Sequence, residues 1–274
     1  MLELMRNHWT LLRDVYQHDR TNLTGYDLIN SYINCNEQAN HVKIYTTDDD
    51  WMDHGTFVLI HNNINKSDIY LNTLSGSFRD LQNLLNSLQL NDRVWFCGYK
   101  QVLKLPVNNF CLERGLSLKK LDQVETYVYY LPQTTIESFD SRLIADINFA
   151  PLSLKHATLV DEHWPYRSTD SLALIEDRIQ NHISVGAFDG NGQLLAWCLR
   201  WAVQGSLSNL YVLPSYRRLG LASLLVRHMA KEIAATGAEV LATIAFGNEI
   251  SQLFFEKLGF KLIDSIVFTM VPAL

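Results

Sequence analysis

The run Arg217-Arg218-Leu219-Gly220-Leu221-Ala222 sets two guanidinium groups and a glycine where a strand pattern gives way to a helix pattern. The preceding stretch, Ser208-Asn209-Leu210-Tyr211-Val212-Leu213, reads as a strand closed by Pro214. After it, Leu221, Leu224, Leu225, His228, Met229 and Ile233 fall on one helical stripe. A strand that turns through such a loop into a helix leaves several backbone N–H groups free at one point, which suits a phosphate or pyrophosphate. Gly220 lets the backbone approach an anion, and the N–H groups from Arg218 to Ala222 can converge on it. Arg217 and Arg218 add charge-assisted contacts, or one of them stands solvated; the plain alternative is a helix start with two surface arginines. The loop lacks the Lys-Ser/Thr of a nucleoside-triphosphate loop.

The elements that must position this loop follow a regular rhythm in the second half. Helices are expected over His156–His163 and Ser171–His182, then a hairpin of Val185–Phe188 and Leu194–Trp201 around Asp189-Gly190-Asn191-Gly192. The strand at Leu207–Leu213, the loop, and a helix to about Thr236 with Gly237 as its stop come next. Glu239–Phe246 reads as a strand, Asn248–Leu258 as a short amphipathic helix ended by Gly259, and Phe260–Val271 as a final strand. The first half reads as mixed α/β. Helices are expected over Leu2–Tyr16, Tyr26–Asn34, Phe78–Leu88 and Val107–Arg114, and strands over His41–Tyr45, Thr56–Ile60, Ile69–Leu71, Val94–Cys97 and Glu125–Leu131. The polar stretch from Pro132 to Ser141 reads as a linker. The fold class is therefore α/β, or α+β with a mixed sheet, in two domains, 1–140 and 141–274.

With 274 residues, 47% hydrophobic and 19% charged, the chain can bury a sizeable core. A net charge of −6 argues against nucleic acid as the main partner, and no apolar run approaches membrane-spanning length. Residues 1–20 mix acids with bases and lack a long apolar core, so neither a secretory signal nor a mitochondrial transit peptide is expected. Cys35, Cys97, Cys111 and Cys198 show no paired spacing, which predicts neither a disulfide framework nor a metal site. The expected setting is intracellular, cytoplasmic before mitochondrial, and Asn22-Leu23-Thr24 and Asn65-Lys66-Ser67 are taken as chance glycosylation matches.

The second half resembles the GCN5-related N-acetyltransferase (GNAT) superfamily. That family carries Gln/Arg-x-x-Gly-x-Gly/Ala at the start of a long helix, and Arg217, Gly220 and Ala222 fill the fixed positions. Its later segment, Asn-x-x-Ala followed by an aromatic and Lys-x-Gly-Phe, is matched by Asn248, Ser251, Phe255, Lys257, Gly259 and Phe260. A nearer resemblance, to the glycine N-acyltransferase-like branch, rests on His163-Trp164 before a Ser-rich helix start and on Leu213-Pro214-Ser215-Tyr216-Arg217. The resemblance implies a C-terminal acyl-CoA domain preceded by a degenerate domain of similar fold. It further implies acyl-CoA or acetyl-CoA as co-substrate without a metal, and a small amine acceptor such as glycine or another amino acid. A peptide N-acetyltransferase, or an acyl-CoA-binding protein that has lost the chemistry, would carry the same motifs. The oligomeric state stays open.

On that resemblance the loop holds the pyrophosphate, the main chain of Leu210, Tyr211 and Val212 pairs with the pantetheine arm, and an N–H near Val212 polarises the thioester. Asn248 either holds the arm or caps its helix. Phe255 stands where the family often has a proton-donating tyrosine, and Ser206 where glycine acyltransferases have been assigned an acidic base. Substitutes for that base are Glu249, His163, His182 and His228, the last lying on the apolar stripe of a core residue. Tyr211, Trp164, Trp197 and Trp201 line an acceptor pocket or simply fill the core.

Overall fold

A computed structural model describes residues 1–34, 41–47, 50–63, 66–90, 93–140, 146–201 and 205–272. Cys35, Asn65 and Ser141 lie outside them. The chain divides into two compact units. The first comprises 1–128, 245–247 and 263–274, and the second 129–244 and 248–262.

In the first unit the chain runs β1 (Leu2–Glu3), α1 (Trp9–Val15), α2 (Tyr26–Asn34), β2 (Val42–Thr46), α3 (Trp51–His54), β3 (Phe57–Asn63), β4 (Lys66–Asn72), α4 (Arg79–Ser87), β5 (Arg93–Lys100) and α5 (Lys104–Glu113). β1 to β4 pair antiparallel in sequence, β4 pairs parallel with β5, and residues 266–271 of a last strand close the order antiparallel to β5. A parallel pair needs a crossover, which α4 supplies by burying Leu81, Leu84 and Leu85 on its inner face. These leucines join Ile69, Leu71, Val94, Phe96 and Phe110 in the core. The single helix expected over Leu2–Tyr16 is divided instead. Leu2 and Glu3 pair with Thr46 and Tyr45, and the indole N–H of Trp9 donates to the Leu4 carbonyl, so the helix starts only at Trp9.

β6 (Asp122–Leu131) carries the chain into the second unit. There follow α6 (Gln133–Glu137), β7 (Asn148–Ala150), α7 (Ala157–Glu162), α8 (Ser171–Asn181), β8 (Ser184–Phe188), β9 (Leu194–Arg200), β10 (Ser206–Val212), α9 (Leu221–Ala235), β11 (Val240–Ala245), α10 (Glu249–Lys257) and β12 (Lys261–Val271). The strand order is β7-β8-β9-β10-β11, antiparallel until the parallel pair β10–β11 that α9 spans. Part of the expected linker is helix. Pro132 has a fixed φ suited to a helix start, its carbonyl accepts the N–H groups of Thr135 and Ile136, and Ile136 is buried. The β8–β9 hairpin forms as its turn residues require: Asp189 Oδ1 accepts the N–H groups of Asn191 and Gln193, and Gly192 has φ +79°. The fold is thus mixed α/β with mixed sheet pairing.

Two histidines of the second unit give a testable pH dependence. Burial lowers the pKa of His182, opposed by Asp177 and assisted by Arg200 and Arg178. Burial and then Lys155 lower that of His156, whose Nδ1 accepts the Ser153 N–H. A histidine kept neutral by folding contributes stability above its unfolded pKa of about 6.5, and that contribution is lost as pH falls through the lower folded value. Denaturant midpoints are therefore expected to hold from pH 8 to 7 and to drop below about pH 6.5, with a shallower drop in a His156→Asn/His182→Asn double variant. An unchanged slope in that variant would refute the assignment.

Candidate functional site

β10 is paired along its whole length on one side only. Against β11 the parallel register covers Ser206–Leu241 and Leu207–Ala242, whereas against β9 it continues to Tyr211–Trp197 and Val212–Ala196. Beyond Leu207, the β11-facing edge of β10 has no strand partner among the described residues. Main-chain groups at such an edge are open to an extended ligand.

That edge leads into the Arg/Gly loop. Pro214–Tyr216 form one 3-10 turn, Arg218 has φ +63° and Gly220 φ +84°. Gly220 is the N-cap of α9 without any side-chain cap, and the Leu224 N–H, bonded to the Gly220 carbonyl at 3.2 Å, is the first to gain a helical acceptor. A Cβ at Gly220 would meet nothing within 4 Å, so the glycine serves the turn and the open space beside it rather than internal packing. Arg217, Arg218, Leu219 and Gly220 are exposed, Ala222 is half-buried, and Leu221 anchors the helix in the core. A helix end of this kind favours an anion by about 0.3–1 kcal/mol. Arg217 currently turns back along the strand: its Nε donates to the Val212 carbonyl at 3.1 Å and its guanidinium lies 5.4 Å from the Tyr211 ring. A ligand that donates to the Val212 carbonyl competes with that side chain.

On the face of β10 covered by α7 and α8, Tyr211 stacks on Trp197 at 5.1 Å, and the His163 ring lies 4.7 Å from Tyr211. His163 sits at the C-terminus of α7, where its Nδ1 is 2.9 Å from the Leu159 carbonyl. Since a carbonyl only accepts, the proton is on Nδ1 and the Nε2 lone pair is left for another donor. Asp161, buried two residues earlier, accepts from Arg167 Nε at 2.8 Å and from the Ser171 hydroxyl, which ties α7 to the start of α8.

The remaining sequence-derived candidates stand elsewhere. Ser206 is buried with its hydroxyl 3.4 Å from that of Thr243. Asn248 caps α10, accepting the Ser251 N–H at 3.2 Å, and Glu249 is exposed in the first turn of that helix. Phe255 is 6% exposed and packs edge-to-face on Phe260, as a core residue. His228, expected in the core, is instead 41% exposed; its ring stacks on Phe149, because the buried stripe of α9 runs through Leu225, Val226 and Met229. With His182 it lines a separate cavity of about 520 Å³. Sequence reasoning passed over Arg178 and Asn209, of which only the asparagine inside an apolar strand run left a signal. Among the described residues no three or more His, Cys, Asp or Glu side chains are grouped to hold a metal, and no helix is long and apolar enough to cross a membrane.

Residues 184–269 match the family model described as FR47-like protein. A Drosophila protein of known structure is 20% identical over 100% of this chain and 99% of its own, with a TM-score of 0.86. A tandem GNAT protein from the clavulanic acid biosynthesis pathway superposes over 100% of this chain and 98% of its own at 13% identity, with a TM-score of 0.59. The fold is a tandem GNAT fold. A GCN5-related N-acetyltransferase from Sphaerobacter thermophilus shares it at 11% identity, over 98% of this chain and 94% of that one, with a TM-score of 0.57. The family match lies in the second half of the chain, and these neighbours share its fold. No curated protein sequence matches the chain.

The GNAT fold recurs in the two units with different consequences. In the first, the β4–α4–β5 crossover repeats β10–α9–β11, and β4 is registered with β5 over four residues, from Lys66–Arg93 to Ile69–Phe96, against two in β10–β11. Its loop also closes on itself, since Thr73 Oγ1 accepts the Ser75 N–H and Ser75 Oγ accepts that of Ser77. In the second unit the parallel pairing ends sooner, after Leu207–Ala242, and a glycine at φ +84° opens the helix that follows.

Proposed function

We propose that the protein is an acyl-CoA-dependent N-acyltransferase whose donor site lies in the 141–274 half, with the first half as a degenerate GNAT partner. The observation that carries this reading is the unpaired edge of β10 running directly into an uncapped, glycine-opened helix start. The Arg218–Ala222 main chain would take the pyrophosphate, and Leu210–Val212 the pantetheine amides. The acceptor is a small amine, with glycine or another amino acid as the class the sequence resemblance implies. Acetyl-CoA and longer acyl-CoA are both donors to be tested. An intracellular setting, cytoplasmic in the first instance, fits the free, buried thiols of Cys111 and Cys198.

In this chemistry the neutral amine attacks the thioester carbonyl, the C–N bond forms, and the C–S bond breaks. The amine proton needs a base, and Nε2 of His163, whose ring packs on Tyr211, is the group we assign to it. The leaving thiolate, with a thiol pKa near ~8.5, recovers a proton from water or from that imidazolium without a tyrosine at position 255. Burial pushes Cys198 up to about 12 and Cys111 to about 11, and raises Cys97, which makes these three thiols poor nucleophiles and favours direct transfer.

Thiol release from acetyl-CoA and longer acyl-CoA over a panel of amines tests the reading; no turnover with any pair would overturn it. His163→Gln is expected to lower kcat about 100-fold at neutral pH and less at alkaline pH, where the free amine is already neutral. A deficit independent of pH would remove His163 as the base. The buried Ser206 and Phe255 favour one second reading, an acyl-CoA-binding protein without transfer, which predicts binding by calorimetry and no release of thiol.

A further inference from the structure

Arg178, on α8, has a fully buried side chain at 0% exposure. Its Nη1 donates to Asn209 Oδ1 at 3.1 Å, and its guanidinium carbon lies 3.6 Å from the centre of the Trp201 ring and 5.4 Å from that of Trp164. Asn209 is the residue at which β10 becomes irregular. Between the pairs Ser208–Leu199 and Tyr211–Trp197, two residues of β10, Asn209 and Leu210, stand opposite the single Cys198 of β9. Asn209 has φ +50°, a left-handed conformation that asparagine tolerates better than most residues. Its amide nitrogen has no partner among the described residues, so the bond from Arg178 is what fixes the side chain.

The extra residue decides what the strand presents. Side chains alternate faces with a period of two, so a shift of one residue exchanges them. Without the bulge, Leu210 would stand opposite Trp197 and Tyr211 opposite Ala196. With it, Tyr211 stacks on Trp197 beneath His163, and the main chain of Leu210–Val212 is re-aimed as β10 parts from β11.

We propose that Arg178 is a positioning residue: through Asn209 it locks the left-handed bulge of β10 and so sets the edge and face that this strand offers to an acyl donor. The inference rests on the donor site proposed above. Arg178 touches no reacting atom in this scheme. Its planar fork, held over the Trp201 ring, fixes a direction that a lysine ammonium would not.

Hydrogen exchange and steady-state kinetics on the full chain test it with Asn209→Ala, Asn209→Gly and Arg178→Lys. Asn209→Ala and Arg178→Lys are expected to speed amide exchange at Leu210–Val212 selectively and to raise the KM for acyl-CoA about tenfold. The double variant should be no worse than the worse single one, because both act on one contact. Asn209→Gly, which accepts positive φ but loses the bond, should lie between Asn209→Ala and the wild type. A purely structural strut would lower thermal stability while leaving local exchange and KM unchanged in folded variants, and that result overturns the proposal. Wild-type exchange in Asn209→Ala overturns it as well. Failure of the wild-type protein to bind or turn over acyl-CoA would instead remove the donor site, and the exchange measurement would still decide whether the clamp exists.

Discussion

Gly220→Glu is expected to abolish acyl-CoA binding and turnover in a protein that remains folded. The position has φ +84° and open space where a Cβ would stand, so the cost to folding is the left-handed conformation, about 1–2 kcal/mol, without an internal clash. The cost to the ligand is larger. A carboxylate replaces an open approach to the uncapped N–H groups of α9 and repels a pyrophosphate at the helix end that would otherwise attract it. Loss of two charge-assisted hydrogen bonds, at about 1.5–3 kcal/mol each, corresponds to a hundredfold or more in affinity. Gly220→Ala imposes similar backbone strain without charge and should retain most of the binding. Calorimetric titration of both variants with coenzyme A, alongside circular dichroism, separates strain from electrostatics. Wild-type affinity in Gly220→Glu would remove the loop from the donor site.

The loop was legible because its signals are local. A glycine at the start of a helical stripe, two arginines before it and a β-run closed by Pro214 lie within a dozen residues, and Gly220 does sit at positive φ there. The hairpin at Asp189–Gly192 and the stop at Gly237 are legible for the same reason. What depends on register was not. The Asn209 bulge exists only relative to β9, and Arg178 reaches it from 31 residues away in sequence. Nothing in the spacing of α8 distinguishes an arginine that points inward from one that is solvated. Asn248 carried two readings, and the cap is the one realised in this structure. His228 looked like core because Leu224 and Leu225 flank its stripe. The buried face is rotated toward Val226 and Ala230, and the histidine falls at its margin. Short elements such as α3 and β7, at four and three residues, are too brief to show any period.

Trp197→Ala is expected to be the most destabilising single change in the second unit and to take the chemistry with it. Trp197 is 1% exposed and packs with Leu152, Ala157, Val160, Ile175, Ile179, Leu194 and Leu199. Truncating so large a buried side chain costs about 3–5 kcal/mol, a fifth or more of a typical domain's stability of about 5–15 kcal/mol. At roughly 2–4 °C per kcal/mol for a chain of this size, Tm falls by about 6–20 °C. Tyr211 stacks on this indole and the His163 ring meets its edge at 5.7 Å. The variant therefore frees both rings even at temperatures where it stays folded. Trp197→Phe keeps an aromatic floor and should recover much of the stability and most of the activity. Gly220→Glu would remove the proposed anion site and spare the fold, whereas Trp197→Ala loosens the fold beneath Tyr211 and His163. A Trp197→Ala protein that loses less than about 1 kcal/mol, or that keeps full turnover well below its Tm, would show that the Tyr211–His163 stack does not depend on the core beneath it.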